Sequence, residues 1–249
     1  MRERLRNLTR ELMLIPGLSG HEGRVRARLR LALAELGIAS RTDRLGNLIA
    51  TLEGNPDVPS VMLFAHMDQL GFVVRRIEPG GLIRIERLGG VPERALPSQE
   101  LLLVVGEGRD VPAVLANKSH HATAPDEKYR VVPYPELYVD AGFGSAADAI
   151  AAGVNIGTPV VYAPRATSLA NDRIAGTSVD DRAACAVIVE VARGAARRAR
   201  PADAPPRLLG AGGVQPARRG HGGADAAARH RHPARPDPRD RYAGHDRPR

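Results

Sequence analysis

Residues 61–71 constrain the fold of this chain more than any other stretch. They begin with five apolar residues, 61–65, and continue with His66 and Asp68. A short continuous apolar run of this kind is typical of a strand buried on both faces of a sheet. In open α/β sheets, ligands bind beyond the ends of the strands. The stretch therefore predicts a buried strand that ends in a His-x-Asp pair.

His66 and an acidic pair far along the chain are the candidate metal-binding residues. His66 can bind a metal through one ring nitrogen, and Asp68 is close enough to hold the ring by a hydrogen bond. Asp180 and Asp181 precede an amphipathic helix predicted over residues 181–199. One aspartate there is explained by helix capping. Two in succession exceed what a cap needs, and a carboxylate that bridges two divalent cations, with His66 on one of them, fits the pattern.

The predicted elements change in type along the chain. Before His66 they are helices and strands of an α/β domain, and this pattern returns near residue 169. Between them, short strand-like runs separated by Gly and Pro indicate a small all-β unit inserted into that domain. The predicted helices are 2–14, 22–36 and 145–152, and the predicted strands are 38–42, 47–52, 60–65, 72–77, 82–87, 101–105, 111–115, 137–140 and 160–162.

The basic charge of the chain lies mostly in its C-terminal tail. Residues 205–249 contain ten Arg and four Asp, a net charge of +6 out of the chain's +8, and they lose apolar periodicity after residue 211. Such a composition is typical of a disordered segment. The remainder has no basic stripe with interleaved aromatic residues, so no specific nucleic-acid binding is expected. Without an apolar signal-peptide core or a membrane-spanning stretch, the chain is expected to be cytoplasmic.

Several separated motifs resemble those of the TET-type, or glutamyl (deblocking), metalloaminopeptidases, a family with some members labelled endoglucanase. Residues 65–71 resemble the His-Met-Asp-Glu-x-Gly motif of that family, and residues 178–185 resemble its Asp-Asp-Arg-x-Gly-Cys motif. Residues 43–48, 117–128 and 137–140 agree as well. The motifs fall in the family's order, from the first helix to about residue 200.

The resemblance implies an α/β fold: a phosphorylase/hydrolase-like three-layer catalytic domain, incomplete here, with an inserted small β-barrel. Residues 1–71 would form the first part of the catalytic domain and residues 164–211 the second part. Residues 72–163 would form the inserted β-barrel oligomerisation domain. In the family this domain helps to build homo-oligomers, often dodecameric cages.

The resemblance also implies an enzyme that hydrolyses N-terminal residues from peptides at a site with two divalent metal ions, Zn or Co. Carried over by position, His66 ligates one metal ion and Asp180 bridges both. Asp68 is carried over as a catalytic residue that orients the His66 ring. The Asp180–Asp181 peptide bond is expected to be cis. His120 and His121 belong to a motif of the insertion and are not carried over as ligands; in an extended run they would point to opposite faces.

The family pattern breaks after residue 211. A Glu-Glu pair (general base, then ligand), a further acidic ligand and a late His ligand have no counterpart, and Gln69 replaces the usual Glu of the first motif. The family-like peptide Glu-Glu-Phe-Asn-Leu-Arg-Gly-Gly-Ala-Met, written in GC-rich codons and read one base early, gives residues 212–221. We therefore interpret residues 212–249 as a frameshifted, disordered tail. The chain is expected to be inactive as written, with an open sheet edge and exposed apolar faces.

Two further interpretations follow from the sequence. Residues 72–163 are complete and could serve a non-catalytic oligomerisation subunit. Glycoside hydrolysis, suggested by the endoglucanase label, needs two carboxylates that face each other across a groove, and no spacing in this chain singles out such a pair.

Overall fold

A computed structural model describes residues 1–106 and 108–198 of the 249-residue chain. The tail predicted at residues 212–249 lies outside the described residues. The described helices are α1 (Arg2–Met13), α2 (Gly23–Ala34), α3 (Ala146–Ala151) and α4 (Val179–Arg198). The strands are β1 (Ser40–Thr42), β2 (Leu48–Ala50), β3 (Gly71–Ile77), β4 (Ile83–Leu88), β5 (Glu100–Leu103), β6 (Val111–Ala116), β7 (Tyr138–Asp140), β8 (Pro159–Tyr162), β9 (Ala166–Leu169) and β10 (Arg173–Gly176). Short 3-10 helices lie at Glu93–Ala95, His120–Ala122, Tyr134–Glu136 and Ala170–Asp172.

Six strands form a closed antiparallel barrel in the order β3-β4-β7-β6-β5-β8. The barrel closes between β3 and β8, where Phe72 lies opposite Val160. Alternate residues point inward, as the two-residue period of a strand requires: Phe72 and Val74 of β3 are buried, and so are Leu101 and Leu103 of β5. The predicted small β-barrel is therefore confirmed, whereas its boundaries as an inserted domain at residues 72–163 stay a prediction.

The three long helices build a second, smaller core outside the barrel. α1, α2 and α4 bury Leu12, Val25, Leu29, Cys185 and Val189 against one another. β1 and β2 form an antiparallel hairpin, and β9 and β10 form another. No described helix is long and apolar enough to cross a membrane.

The buried strand predicted at residues 60–65 is wrong. This stretch forms no strand, and Val61 and Phe64 are 84% and 85% exposed. The apolar run is typical of a strand with neighbours on both edges, and no described residue forms a backbone hydrogen bond with residues 61–65. Exposed apolar side chains were expected in this part of the chain, and Val61 and Phe64 agree with that expectation. The open sheet edge and the three-layer arrangement stay predictions.

Candidate metal centre

The loop of residues 66–69 is held from three sides. The amide of Gln69 donates to the carbonyl oxygen of Gly17 at 2.9 Å, which joins the loop to the turn between α1 and α2. The Cys185 thiol of α4 donates to the carbonyl oxygen of His66 at 3.4 Å. Met67 packs against the core of the three helices. The backbone that carries His66 and Asp68 is therefore fixed by the helices rather than by a sheet.

The structure brings the three predicted site residues together. His66 Nδ1 lies 2.9 Å from Asp68 Oδ1, and His66 Nε2 lies 3.0 Å from Asp180 Oδ1. The imidazole is thus held between two carboxylates that are 114 and 2 residues away in the sequence. It is 47% exposed, so the site faces solvent.

Asp180 comes to His66 from the N-terminal end of α4. The peptide bond between Asp180 and Asp181 is cis, in agreement with the expectation, and both residues depart from helical backbone angles. The Asp180 carboxylate contacts His66, at 3.0 Å. The Asp180 side chain is therefore paired with the His66 ring.

Gln69, which replaces the family's glutamate, connects the two motifs. Its side chain is buried and accepts a hydrogen bond from the Ser178 hydroxyl, two residues before Asp180. Leu18 and Gln69 also form an isolated parallel bridge. An amide can accept from Ser178 as a carboxylate would, so the substitution keeps this connection between the His66 loop and the Asp180 turn.

Arg182 is a further residue of the site that the sequence did not single out. It is fully buried, and its Nη1 donates to the carbonyl oxygens of Leu12 and Ile15 at 3.0 and 3.3 Å. Among the described residues, its Nε and Nη2 have no hydrogen-bond partner. Burial lowers the pKa of Arg182 to about 10. Gly17 permits this approach, since a Cβ there would lie 2.7 Å from Arg182 Nη2. A charged residue of a helix is expected on the solvent-exposed face. In the sequence, only the position of Arg182 next to Asp180 and Asp181 could have indicated that it belongs to the site.

His120 and His121 lie in a short 3-10 helix rather than in an extended run. Their rings contact each other with centroids 5.7 Å apart, and His120 Nε2 lies 3.3 Å from Lys128 Nζ. No group of three His, Cys, Asp or Glu side chains suited to a metal ion occurs within residues 1–106 and 108–198. At the His66 site, Asp68 and Asp180 contact the two opposite ring nitrogens of the imidazole.

Comparison with known protein families shows which family this chain belongs to. The model of the peptidase M42 family, M42 glutamyl aminopeptidase, matches residues 46–231. This chain belongs to the M42 family. The match includes both site motifs and the barrel. It also continues past Ala211, where the frameshift is predicted to begin, and that hypothesis stays a prediction.

Individual relatives of this M42 chain cover the same region. SgcX of Escherichia coli, which carries an aminopeptidase name, is 35% identical over 176 residues, or 70% of this chain and 47% of SgcX. A Thermotoga maritima structure named endoglucanase is 32% identical with a TM-score of 0.62 and covers 75% of this chain and 54% of its own. The Pyrococcus horikoshii TET1 peptidase, described as assembling into a tetrahedron or a large octahedral shell, is 25% identical with a TM-score of 0.66, over 77% and 55% of the two chains.

The chain spans about half the length of these relatives. The family match at residues 46–231 contains the His66 loop, the barrel and the start of α4, and it continues beyond the described residues.

Proposed function

We propose that this chain carries one part of the metal site of an aminopeptidase, an enzyme that hydrolyses N-terminal residues from peptides. The observation that carries the proposal is the His66 ring, with Asp68 at Nδ1 and Asp180 at Nε2. Carboxylate–histidine pairs of this kind orient histidine ligands in metal sites. His66 and Asp180 would be the ligands, and Asp68 would fix the ring.

The donor geometry fits a metal ion between His66 and Asp180. Two ligands that bind one tetrahedral zinc ion at about 2.0–2.1 Å are separated by about 3.3 Å, and Nε2 and Oδ1 lie 3.0 Å apart. With Asp68 accepting the Nδ1 proton, Nε2 presents a lone pair to the Asp180 oxygen. Two acceptors face each other favourably only when a proton or a cation lies between them.

A bound Zn or Co ion would polarise the scissile carbonyl and lower the pKa of a water. Asp68 would keep the Nδ1 proton in place, so that Nε2 stays available as a ligand. Asp180 would neutralise positive charge at the site. Because His66 and Asp180 are exposed, substrate could reach them from solvent.

We also propose that the chain is inactive by itself. The general-base Glu pair and the later ligands of the family have no counterpart in this sequence. Two protein ligands are fewer than the three that hold a catalytic zinc ion. The general base that would take a proton from water is among the family residues without a counterpart.

The metal site is tested by cobalt titration, followed by visible absorption of the bound ion. His66→Ala and Asp180→Asn are expected to weaken binding at least about 10-fold, as losses in metal shells do. His120→Ala removes an exposed histidine outside the site and serves as the control. Equal binding by all four proteins would contradict the assignment.

Inactivity is tested with Leu- and Glu-p-nitroanilide and added Zn or Co. No hydrolysis above that of the His66→Ala variant is expected. Metal-dependent hydrolysis that is lost in His66→Ala would show that the chain is active as it stands. The glycoside hydrolase alternative has the endoglucanase names of two similar structures as its support.

A second candidate function is oligomerisation through residues 72–163. The closed barrel with a complete core favours it, and the TET1 neighbour forms shells. Light scattering at several protein concentrations is expected to show a homo-oligomer, and a monomer throughout would contradict it. A dodecameric cage and a cytoplasmic location are part of the same proposal.

The tail is tested by the nucleotide sequence across the codons for Leu208 to His221. If the other frame encodes the Glu-Glu pair and continues to the late His, residues 212–249 are a frameshifted translation, and the complete gene encodes the three-layer catalytic domain. If that frame closes at once, the tail is a basic extension of its own.

A further inference from the structure

Strand β3 carries two neighbouring arginines that both lie on the outer surface of the barrel. Phe72 and Val74 are buried in the barrel, so an unbroken two-residue period would turn residue 76 inward as well. The register between β3 and β4 shifts between Val74 and Arg76 instead. This bulge leaves Arg75 and Arg76 both exposed and returns Ile77 to the barrel core. Two like charges therefore lie side by side on one surface.

Two further cationic side chains extend this surface into a cavity. Arg84 of β4 lies directly opposite Arg76, and Lys118 follows β6. The lining of the cavity, which has a volume of about 450 Å³ and which we call the arginine cavity, consists of Arg75, Arg76, Arg84, Lys118, Pro135 and Glu136. Like charges directly opposite each other on neighbouring strands are destabilising. An anion in the arginine cavity would therefore relieve a cost that the barrel carries.

Glu78 and the backbone hold Arg84 in place at this cavity. Arg84 Nε donates to Glu78 at 3.2 Å, and Arg76 donates to the same carboxylate. Arg84 Nη1 donates to the carbonyl oxygens of residues 136 and 137, both at 3.2 Å. The guanidinium also lies over the Tyr138 ring, 5.8 Å from its centroid. None of these hydrogen bonds uses Arg84 Nη2. Arg84 is thus preorganised, and an anion that binds it does not have to order it first.

The arginine cavity has more cations than carboxylates around it. No acidic side chain among the described residues pairs with Arg75. Lys118 pairs with Glu127 at 3.2 Å, but both side chains are exposed, and an exposed pair contributes little. With Glu78, Glu127 and Glu136 counted, four cations face three carboxylates. The field of the cavity therefore attracts anions.

We infer that the arginine cavity binds a phosphate dianion, either inorganic phosphate or the phosphate group of a small monoester. Planar guanidinium groups bind phosphate oxygens in pairs. A phosphate group presents at least three acceptor oxygens and can bind several arginines at once, whereas a carboxylate presents two. Arg75 and Arg76 would bind it from β3 and Arg84 from β4. The site lies on the barrel and goes beyond the proposed function.

The experiment is isothermal titration calorimetry of the full 249-residue chain with inorganic phosphate at about pH 7.5, where phosphate groups are mostly dianionic. The protein is first freed of metal ions on a chelating resin, so that phosphate cannot bind a metal at His66. Saturable binding of one phosphate with a Kd of about 1 mM or below is expected. Glycerol 3-phosphate distinguishes the two sources. Tighter binding than that of phosphate assigns the site to a monoester, and equal or weaker binding assigns it to free phosphate.

Arg75→Gln is expected to weaken phosphate binding at least about 10-fold, and Lys118→Gln about 3-fold. Both side chains are exposed, so both variants are expected to fold as the wild type does, with an unchanged circular dichroism spectrum. Arg44→Gln is the matched control: this exposed arginine lies in the turn between β1 and β2, and its substitution removes the same charge but should leave the Kd unchanged. All variants retain the ten arginines of residues 205–249, so phosphate bound there contributes equally.

The remaining outcomes decide against the inference. It is overturned if phosphate shows no saturable binding, or if Arg75→Gln binds phosphate as tightly as the wild type does. An equal loss in Arg75→Gln and Arg44→Gln would mean that binding follows net charge alone. Acetate that binds as tightly as phosphate would contradict the assignment to phosphate. A homo-oligomer that Arg75→Gln dissociates in light scattering would assign the cavity to an acidic surface of a second copy and also overturn the inference. Because the titration is made without metal, a failure of the proposed metal site leaves its result unchanged.

Discussion

In the barrel every strand has a neighbour on both sides, whereas the apolar residues 61–65 of the helical part have none among the described residues. Both regions contain continuous apolar runs. In β5 and β8 the apolar side chains point into a shared core, and in residues 61–64 they point into solvent.

The difference shows what each region needs in order to close. All six barrel strands lie between Gly71 and Tyr162, so the barrel carries every partner it requires. A strand in the middle of an α/β sheet instead pairs with strands contributed by distant parts of the chain. The helical part is therefore ordered around its helices, and its apolar residues 61–65 have no strand partner among the described residues.

The largest expected effect compares a buried residue of the barrel with an exposed residue of the segment 61–65. Leu103→Ala removes a fully buried side chain of β5 and should cost about 2–5 kcal/mol in the free energy of unfolding. Phe64→Ala, at an 85% exposed residue, should change it by less than about 0.5 kcal/mol. Urea unfolding followed by circular dichroism measures both.

Near-ultraviolet dichroism adds a probe of the barrel itself, because Phe72 and Tyr162 contact each other edge to face at 5.8 Å. Leu103→Ala should shift the loss of this signal to lower urea. If Phe64→Ala costs as much as Leu103→Ala, residues 61–64 are buried in solution, and the contrast between the two regions fails.

A smaller effect is expected at Arg182, whose hydrogen bonds to Leu12 and Ile15 join α4 to the end of α1. Arg182→Met removes the donors to Leu12 and Ile15 and should destabilise the protein by about 1–3 kcal/mol. Arg197→Met, at an exposed position on the same helix, is the control and should be nearly neutral. An increase in stability from Arg182→Met would mean that the cost of burying the guanidinium exceeds the value of its hydrogen bonds.

The barrel could be predicted well from the sequence because all of its strands lie within one continuous stretch of the chain. Short strand-like runs at residues 72–77 and 82–87 predicted β3 and β4, and Gly and Pro mark the ends of these runs. The strand prediction at residues 60–65 was wrong because the apolar pattern is that of a strand buried in a complete sheet. Periodicity indicates what a segment requires and does not show whether the partners are present.

The candidate site was predicted in part. His66, Asp68 and Asp180 were predicted from motifs that lie far apart in the sequence, and the structure places Asp68 Oδ1 and Asp180 Oδ1 at 2.9 and 3.0 Å from the two ring nitrogens of His66. Arg182 and the Ser178–Gln69 hydrogen bond were missed. Arg182 donates to backbone carbonyl oxygens, and Ser178 donates to the buried side chain of Gln69. The spacing of residues in the sequence does not predict such contacts.

The smallest effect tests whether the two regions unfold together. Arg24 of α2 pairs with Asp110, which lies between β5 and β6. Burial would raise the pKa of Asp110, but hydrogen bonds from Arg24 and from the Gly106 amide outweigh it and hold the pKa below its usual value. The ionised carboxylate is therefore favoured in the folded state. This contribution is present above about pH 4 and is lost as the pH falls through the lowered pKa.

Asp110→Asn should cost about 1 kcal/mol or less at pH 7, and its difference from the wild type should shrink below pH 4. Asp126→Asn, in the exposed pair with Arg130, should be neutral throughout. If Arg24 and Asp110 couple the regions, the tyrosine signal of the barrel and the far-ultraviolet signal of the helices should change at one urea concentration in the wild type and separate in Asp110→Asn. A pH-independent difference would mean that packing rather than charge accounts for the loss, and transitions already separate in the wild type would mean that the barrel folds independently of the helical part.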